Sequence, residues 1–327
     1  MARRLLRLPG WICLTAAAAL ALSACGGGNI STTKSASGKT CGNLNIAMNA
    51  WTGYYADAYV VGEIAKNKLG CNVSYVKLAE QPSWSAMANG TVDTILENWG
   101  HEDLAKKYIN QEHVVEDAGL TGNQGVIGWY VPPWMAQKYP DITNWKNLNK
   151  YASMFKTSES GGKGQLLDGD PSYVTNDQAL VKNLNLDYQV VVGGSEAALI
   201  QSFRTAEKDK SPLLAYFYEP QWFFSEEKLV KVNLPKYSSN PKVCPTAPSA
   251  IKCDYPPYHL NKLISTKFAD SGSPAVALVK NFHWTNADQN QVAEYIAKDG
   301  MAGPAAADKW IAANQSLVNQ WLQGTGA

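Results

Sequence analysis

Arginine is nearly missing from this chain of 327 residues: of four, Arg3, Arg4 and Arg7 stand at the very start and only Arg204 lies further on. With 29 Lys+Arg against 28 Asp+Glu, there is no basic excess to meet a phosphate backbone, so nucleic acid is not an expected partner. Histidine is as scarce. His101, His113, His259 and His283 fall in no pattern that suggests a nucleophile relay. No GxSxG elbow and no HExxH motif occurs, and Gly161-Gly162-Lys163-Gly164 lacks the flanking glycine and Ser/Thr of a phosphate loop. No catalytic residue, metal or cofactor is therefore expected. Long apolar runs are absent too: the longest, Trp11 to Ala24, is shorter than the roughly 20 residues that span a bilayer as a helix.

What that run does carry is a basic start and an end, Leu22-Ser23-Ala24-Cys25, that looks like a bacterial lipoprotein box. Residues 1–24 are expected to leave as a signal peptide, Cys25 to be lipidated, and 25–42 to form a tether rich in Gly, Ser, Thr and Lys. An ordinary signal peptide cut nearby is the alternative. The mature chain then keeps 26 basic against 28 acidic residues and sits outside the cell membrane, touching it only through the lipid. Cys13 departs with the signal, leaving Cys41, Cys71, Cys244 and Cys253. An even number in an oxidising compartment favours two disulfides. Three pairings are open, the local one (Cys41 with Cys71, Cys244 with Cys253) being simplest; zinc is disfavoured because no pair has CxxC spacing and no histidine clusters with them.

From residue 43 short apolar runs alternate with amphipathic ones, the pattern of an α/β protein. Strands are expected at 43–50, 71–78 and 91–96, with helices at 55–69, closed by Gly70, and 83–89. Gly122 to Gly125 interrupts the chain. A second series then has strands at 126–131, 154–157, 188–192 and 213–218, and helices at 133–138, 175–184 and from Ser195. After an insertion at 238–257 come helices at 286–298 and 304–322, the latter with Trp310, Ile311, Leu317 and Trp321 on one stripe. The expected division is a first lobe at 43–124, a second at 125–234, and a return at 235–327. Two crossings, near 122–125 and 232–237, make a hinge that lets the lobes close on a ligand.

Aromatics supply the positive signal: ten tryptophans follow Cys25, and many rings stand at strand ends. Trp51, Trp99, Tyr130 and Tyr218 lie at or near the carboxyl ends of four expected strands, where open α/β sheets bind ligands. A box of ring faces suits a quaternary ammonium, which cannot donate a hydrogen bond. Each contact contributes on the order of 0.5 to 2 kcal/mol, so three or four reach micromolar affinity with help from methyl burial. Packing between lobes is the plainer use for the same rings.

The segments Ala50-Trp51-Thr52, Ala86-Met87-Ala88-Asn89-Gly90-Thr91-Val92-Asp93, Glu97-Asn98-Trp99, Phe217-Tyr218-Glu219-Pro220-Gln221-Trp222 and Ala307 to Asn314 are similar to those of one family. It comprises the substrate-binding proteins of ABC transporters for glycine betaine, proline betaine and choline (ProX/OpuAC-like), and the resemblance spans about residues 43–322. It implies a two-lobed periplasmic-binding-protein fold of type II, an ABC permease as partner, a monomer, and a cage of Trp51, Trp99, Tyr130 and Tyr218. Tyr218 stands where many relatives have tryptophan, and Gln221 replaces a histidine. For the carboxylate of a betaine, the donors expected are the turn holding Ser158, Ser160 and Gly161, and His101; Arg204 reads as surface. For the hydroxyl of choline, the second choice, Glu97 or Asp57 would accept. A secreted carbohydrate-active enzyme using Glu97, Glu159 or Glu219, and a sensory or adhesive lipoprotein, are the rival readings.

Overall fold

A computed structural model describes residues 40–326; the expected signal peptide, Cys25 and most of the tether lie outside them. In chain order the elements are β1 (Asn43–Met48), α1 (Thr52–Leu69), β2 (Asn72–Lys77), α2 (Glu80–Ala88), β3 (Thr94–Asn98), α3 (Glu102–Ala105), β4 (Val115–Val131), α4 (Pro133–Lys138), α5 (Leu148–Tyr151), β5 (Gly164–Asp168), α6 (Asp177–Asn183), β6 (Tyr188–Val192), α7 (Glu196–Asp209), β7 (Ala215–Glu219), β8 (Val230–Lys231), β9 (Tyr258–Ser265), α8 (Thr266–Ala269), α9 (Pro274–Asn281), α10 (Asn286–Ala297), α11 (Gly303–Ala313) and α12 (Gln315–Trp321).

The strands run in the order β2-β1-β3-β9-β4-β7-β5-β6, with β8 also on β4. One sheet holds β2, β1 and β3 in parallel and then β9 and the first part of β4, both antiparallel to their neighbours. The other holds the last part of β4 against β7 and β8, with β7, β5 and β6 parallel. The 17-residue β4 thus belongs to both sheets. Gly122 to Gly125 does not break it, contrary to the sequence reading. Gly122 takes φ +94°, and the ladder with β9 shifts register between Leu120 and Gln124. Gly125 serves a close approach: a Cβ there would lie 2.6 Å from the Trp99 ring.

Helix α1 stops at Gly70, whose φ of 69° lets its N–H reach the Ala65 carbonyl. Helix α10 begins with a capping box between Thr285 and Asp288. The stripe expected of one helix at 304–322 is shared between α11 and α12, which part at Asn314; Trp310 and Trp321 stack with centroids 5.8 Å apart and pack with Phe282 and Trp284. Two further differences bear on the site. Residues 152–155 form a 3-10 turn, and the strand expected at 154–157 is instead β5, further along. Strand β9, central in its sheet, was not anticipated.

Both disulfides have the local pairing, Cys41–Cys71 and Cys244–Cys253, the second stapling the insertion. Among the described residues no helix is long and apolar enough to cross a membrane.

Candidate functional site

The carboxyl ends of strands from both sheets converge on a small cavity of about 30 Å³ lined by Trp51, Glu80, Trp99, Ile127, Tyr173, Val174, Tyr216 and Tyr218. Trp51 comes after β1, Glu80 after β2 and Trp99 directly after β3; Tyr173 comes from the loop after β5, and Tyr216 and Tyr218 from β7. Strand alternation decides which residues of the second sheet enter. Ile127 pairs with Tyr218 and Trp129 with Tyr216, so these four share one face.

Trp51, Trp99 and Tyr218, all expected from the sequence, come together here. Tyr130 does not. It has the opposite parity to Ile127 on β4 and packs against Phe217 and Phe224, at 6.4 and 5.5 Å, in the core beneath the sheet. Tyr173 and Tyr216, absent from the sequence reading, line the cavity instead. Neighbouring rings stand nearly perpendicular: Trp99 to Tyr218 at 5.9 Å and 85°, Trp51 to Tyr173 at 6.0 Å and 81°, Tyr173 to Tyr218 at 6.1 Å and 88°.

The turn with Ser158, Ser160 and Gly161 is also placed elsewhere. It precedes β5, at the amino end of the strand, whereas the cavity lies beyond the carboxyl end. The Ser160 hydroxyl is used within its own turn, accepting from Thr157 N at 3.0 Å and donating to the Thr157 and Lys163 carbonyls. His101 is buried behind the wall with Nε2 3.1 Å from Glu80 Oε1. Burial works to lower its pKa, but the Glu80 carboxylate outweighs burial and the ring titrates above its ordinary value. Glu80 Oε1 also accepts from the backbone N–H of Trp99 at 3.0 Å, so His101 supports the group that fixes Trp99. Gln221 donates to Glu196, Arg204 pairs with Glu226 at 2.7 Å on the surface, and neither reaches the cavity.

Besides Glu80, three acids stand around the rings. Glu97 lies directly beneath the two tryptophans, and its Oε1 accepts both indole N–H groups, from Trp51 at 2.8 Å and from Trp99 at 2.7 Å. Asp57 and Glu97 both accept from Gln289 Nε2; burial first, then the charge of Glu97, holds the Asp57 carboxyl well above the usual carboxylate range. Neither lines the cavity, whose lining acid is Glu80. Glu196, at the start of α7, accepts from the Tyr218 hydroxyl at 2.8 Å and from Thr52 N and Oγ1 at 2.9 and 2.5 Å. It therefore ties the second sheet to the first turn of α1. The Tyr173 hydroxyl makes a second tie, donating to the Ala50 carbonyl at 3.2 Å. No described lining residue is a lysine or arginine, and the described residues include no group of His, Cys, Asp and Glu that could hold a metal.

A family model described as the substrate-binding domain of ABC-type glycine betaine transport systems matches residues 42–313. The trimethylamine N-oxide-binding protein of Pelagibacter ubique is 25% identical over 281 residues, covering 83% of this chain and 88% of the relative. Among solved structures, an ABC-transporter choline-binding protein in complex with choline superposes with a TM-score of 0.70 at 18% identity, covering 87% of this chain and 92% of the other. Lactococcal OpuAC, closed around glycine betaine, gives 0.63 at 21% identity, covering 86% and 99%. These likenesses establish the α/β two-lobed binding-protein fold.

Proposed function

Because this chain belongs to the OpuAC family of substrate-binding domains of ABC-type glycine betaine transport systems, and is a binding protein, not an enzyme, we propose that it captures a quaternary ammonium solute between its lobes and delivers it to an ABC permease for import. The observation that carries this reading is the box of five rings, Trp51, Trp99, Tyr173, Tyr216 and Tyr218, with Glu80 and no lysine or arginine among its described lining residues. Such a box rewards a diffuse positive charge with apolar methyls and offers nothing to an anion.

The relatives are named for trimethylamine N-oxide, choline, glycine betaine and carnitine, which share a methylated ammonium head. The tail is where this site differs from the sequence expectation. A betaine carboxylate would face Glu80 without a lysine or arginine to neutralise either charge. A hydroxyl donates to Glu80, so the geometry favours choline over glycine betaine.

The lobes close about β4 and the return at 232–237, with Glu196 and Tyr173 joining them across the cleft. The ligand touches rings from both lobes, so it binds the closed state better and shifts the population towards it. The chain acts as a monomer held by a lipid at Cys25 on the outer face of the cell membrane.

Calorimetric titration with choline, glycine betaine, carnitine and trimethylamine N-oxide tests this. One saturable site is expected, tightest for choline and weakened at least about tenfold by Trp99→Ala. No heat with any of them up to millimolar concentration would overturn the reading.

A further inference from the structure

The two tryptophans of the box do more than present their faces. Their indole N–H groups converge on one carboxylate oxygen, Glu97 Oε1, from residues 51 and 99 on different elements. The other oxygen, Oε2, accepts from Gln289 Nε2. Asn123 Nδ2 donates to Gln289 Oε1 at 2.9 Å, which fixes the amide with its NH2 towards the acids. Asp57 completes the ring: Gln289 Nε2 also reaches its Oδ2 at 3.2 Å, so one amide links the two carboxyls. Glu97 and Asp57 are both buried, at 1% and 0% exposure. On the far side Lys262 spends its ammonium on the carbonyls of Lys280 and Phe282. Burial raises the pKa of both carboxyls, and the bonds from Trp51, Trp99 and Gln289 work against that rise at Glu97, so the donors around Glu97 favour an ionised acceptor.

We infer that Glu97 is the counter-charge of the cage, a positioning residue that acts on the ligand through the Trp51 and Trp99 indoles without touching it. Donation of an indole N–H to a carboxylate draws electron density onto the ring, making its face more negative, and fixes the angle of both rings at once. The buried charge also attracts the cation directly, across rings that exclude water. Both effects depend on the ligand's charge and not on its shape, which separates them from a structural prop. This inference rests on the reading of the cavity as a quaternary ammonium site.

The test uses the purified protein, choline, and 3,3-dimethylbutan-1-ol, its neutral isostere with carbon in place of nitrogen. Wild type is expected to prefer choline by about a hundredfold or more. Glu97→Gln alone leaves the Asp57 carboxyl, bonded to the same Gln289 amide, to carry a charge in the network, so the decisive variant is Asp57→Asn/Glu97→Gln. It is expected to lose about ten- to a hundredfold in affinity for choline, the scale of one charge at an effective dielectric of about 20, while binding the isostere within about threefold of wild type. Equal losses for both ligands, or choline binding within about twofold of wild type, would overturn the inference while leaving the cage reading intact. Should the double variant fail to fold, Glu97→Gln carries the test: a loss for choline at least about threefold larger than for the isostere supports the inference, and equal losses overturn it. Wild type that binds no choline would bring down the choline reading first, and this inference with it.

Discussion

Helix α1 is capped from the opposite lobe, and that arrangement has a measurable price. Its N-cap residue, Trp51, makes no side-chain cap bond, and its first turn contains no acid. The orphan N–H of Thr52 is met by Glu196, itself in the first turn of α7, which also accepts from the Thr52 hydroxyl. Glu196→Ala removes both bonds across the cleft. Hydrogen bonds to a charged acceptor contribute about 1.5 to 3 kcal/mol each, but the two share one oxygen and water partly replaces them. A loss of about 2 to 3 kcal/mol from the closed state alone is therefore expected. If only the closed state binds tightly, the apparent dissociation constant rises by the same factor, about 30- to 150-fold. Calorimetry gives the affinity, and solution scattering with saturating choline reports whether closure is still reached. Affinity within about threefold of wild type would refute the idea that Glu196 latches the lobes. Fully closed scattering with weak binding would shift the effect to Tyr218, which loses its acceptor in the same variant.

Strand parity makes a paired prediction: Tyr130→Phe leaves ligand affinity within about twofold, whereas Tyr216→Ala weakens it about three- to thirtyfold, and the reverse order by calorimetry would refute the placement of these rings. Gly125→Val puts side-chain atoms where the Trp99 ring stands, so binding falls at least about tenfold while circular dichroism stays native; unchanged binding would show that Trp99 is not held there. Burial first, then Asp168, pushes Asp177 from 3.8 up to about 8 against the bonds from Trp129 and Tyr255. Between those values the folded chain holds a proton that the unfolded chain has released, so this group makes stability fall as pH rises from about 4 to 8. Asp177→Asn, whose side-chain oxygen accepts the same two bonds, is expected to flatten that slope in urea unfolding series at pH 5 and pH 8, and an unchanged slope would refute it.

The legible parts of the site were those whose strand could be placed. Trp51, Trp99 and Tyr218 each follow or end a strand with clear alternation, and the rule that ligands lie beyond carboxyl ends then located them. Tyr173 obeys the same rule after β5, but the strand expected at 154–157 overlaps a 3-10 turn, and the turn at 158–161 precedes the real strand instead of following one. Tyr130 was misjudged by one residue of parity, which reverses the face of a strand. Strand β9 was hidden by Lys262: a lysine at an inward position masks the alternation, and its burial depends on carbonyls of residues 280 and 282 that no local pattern reveals. Glu97 and Asp57 were visible as residues, but their role beneath the rings depends on Gln289, 192 residues from Glu97 in the chain.

The strand β4 runs unbroken through both sheets, so the joint between the lobes is a flexure and not a pin. A pin turns freely and keeps no memory of its rest angle; a flexure bends only by deforming its own hydrogen-bonded ladder and springs back. Bending concentrates where the ladder is already interrupted, at the register shifts beside Gly119 and Gly122, whose φ angles are +93° and +94°. If the lobes move as proposed above, each opening bends this ladder against its own hydrogen bonds, and release of a solute would draw on that recoil as well as on the weakening of its contacts.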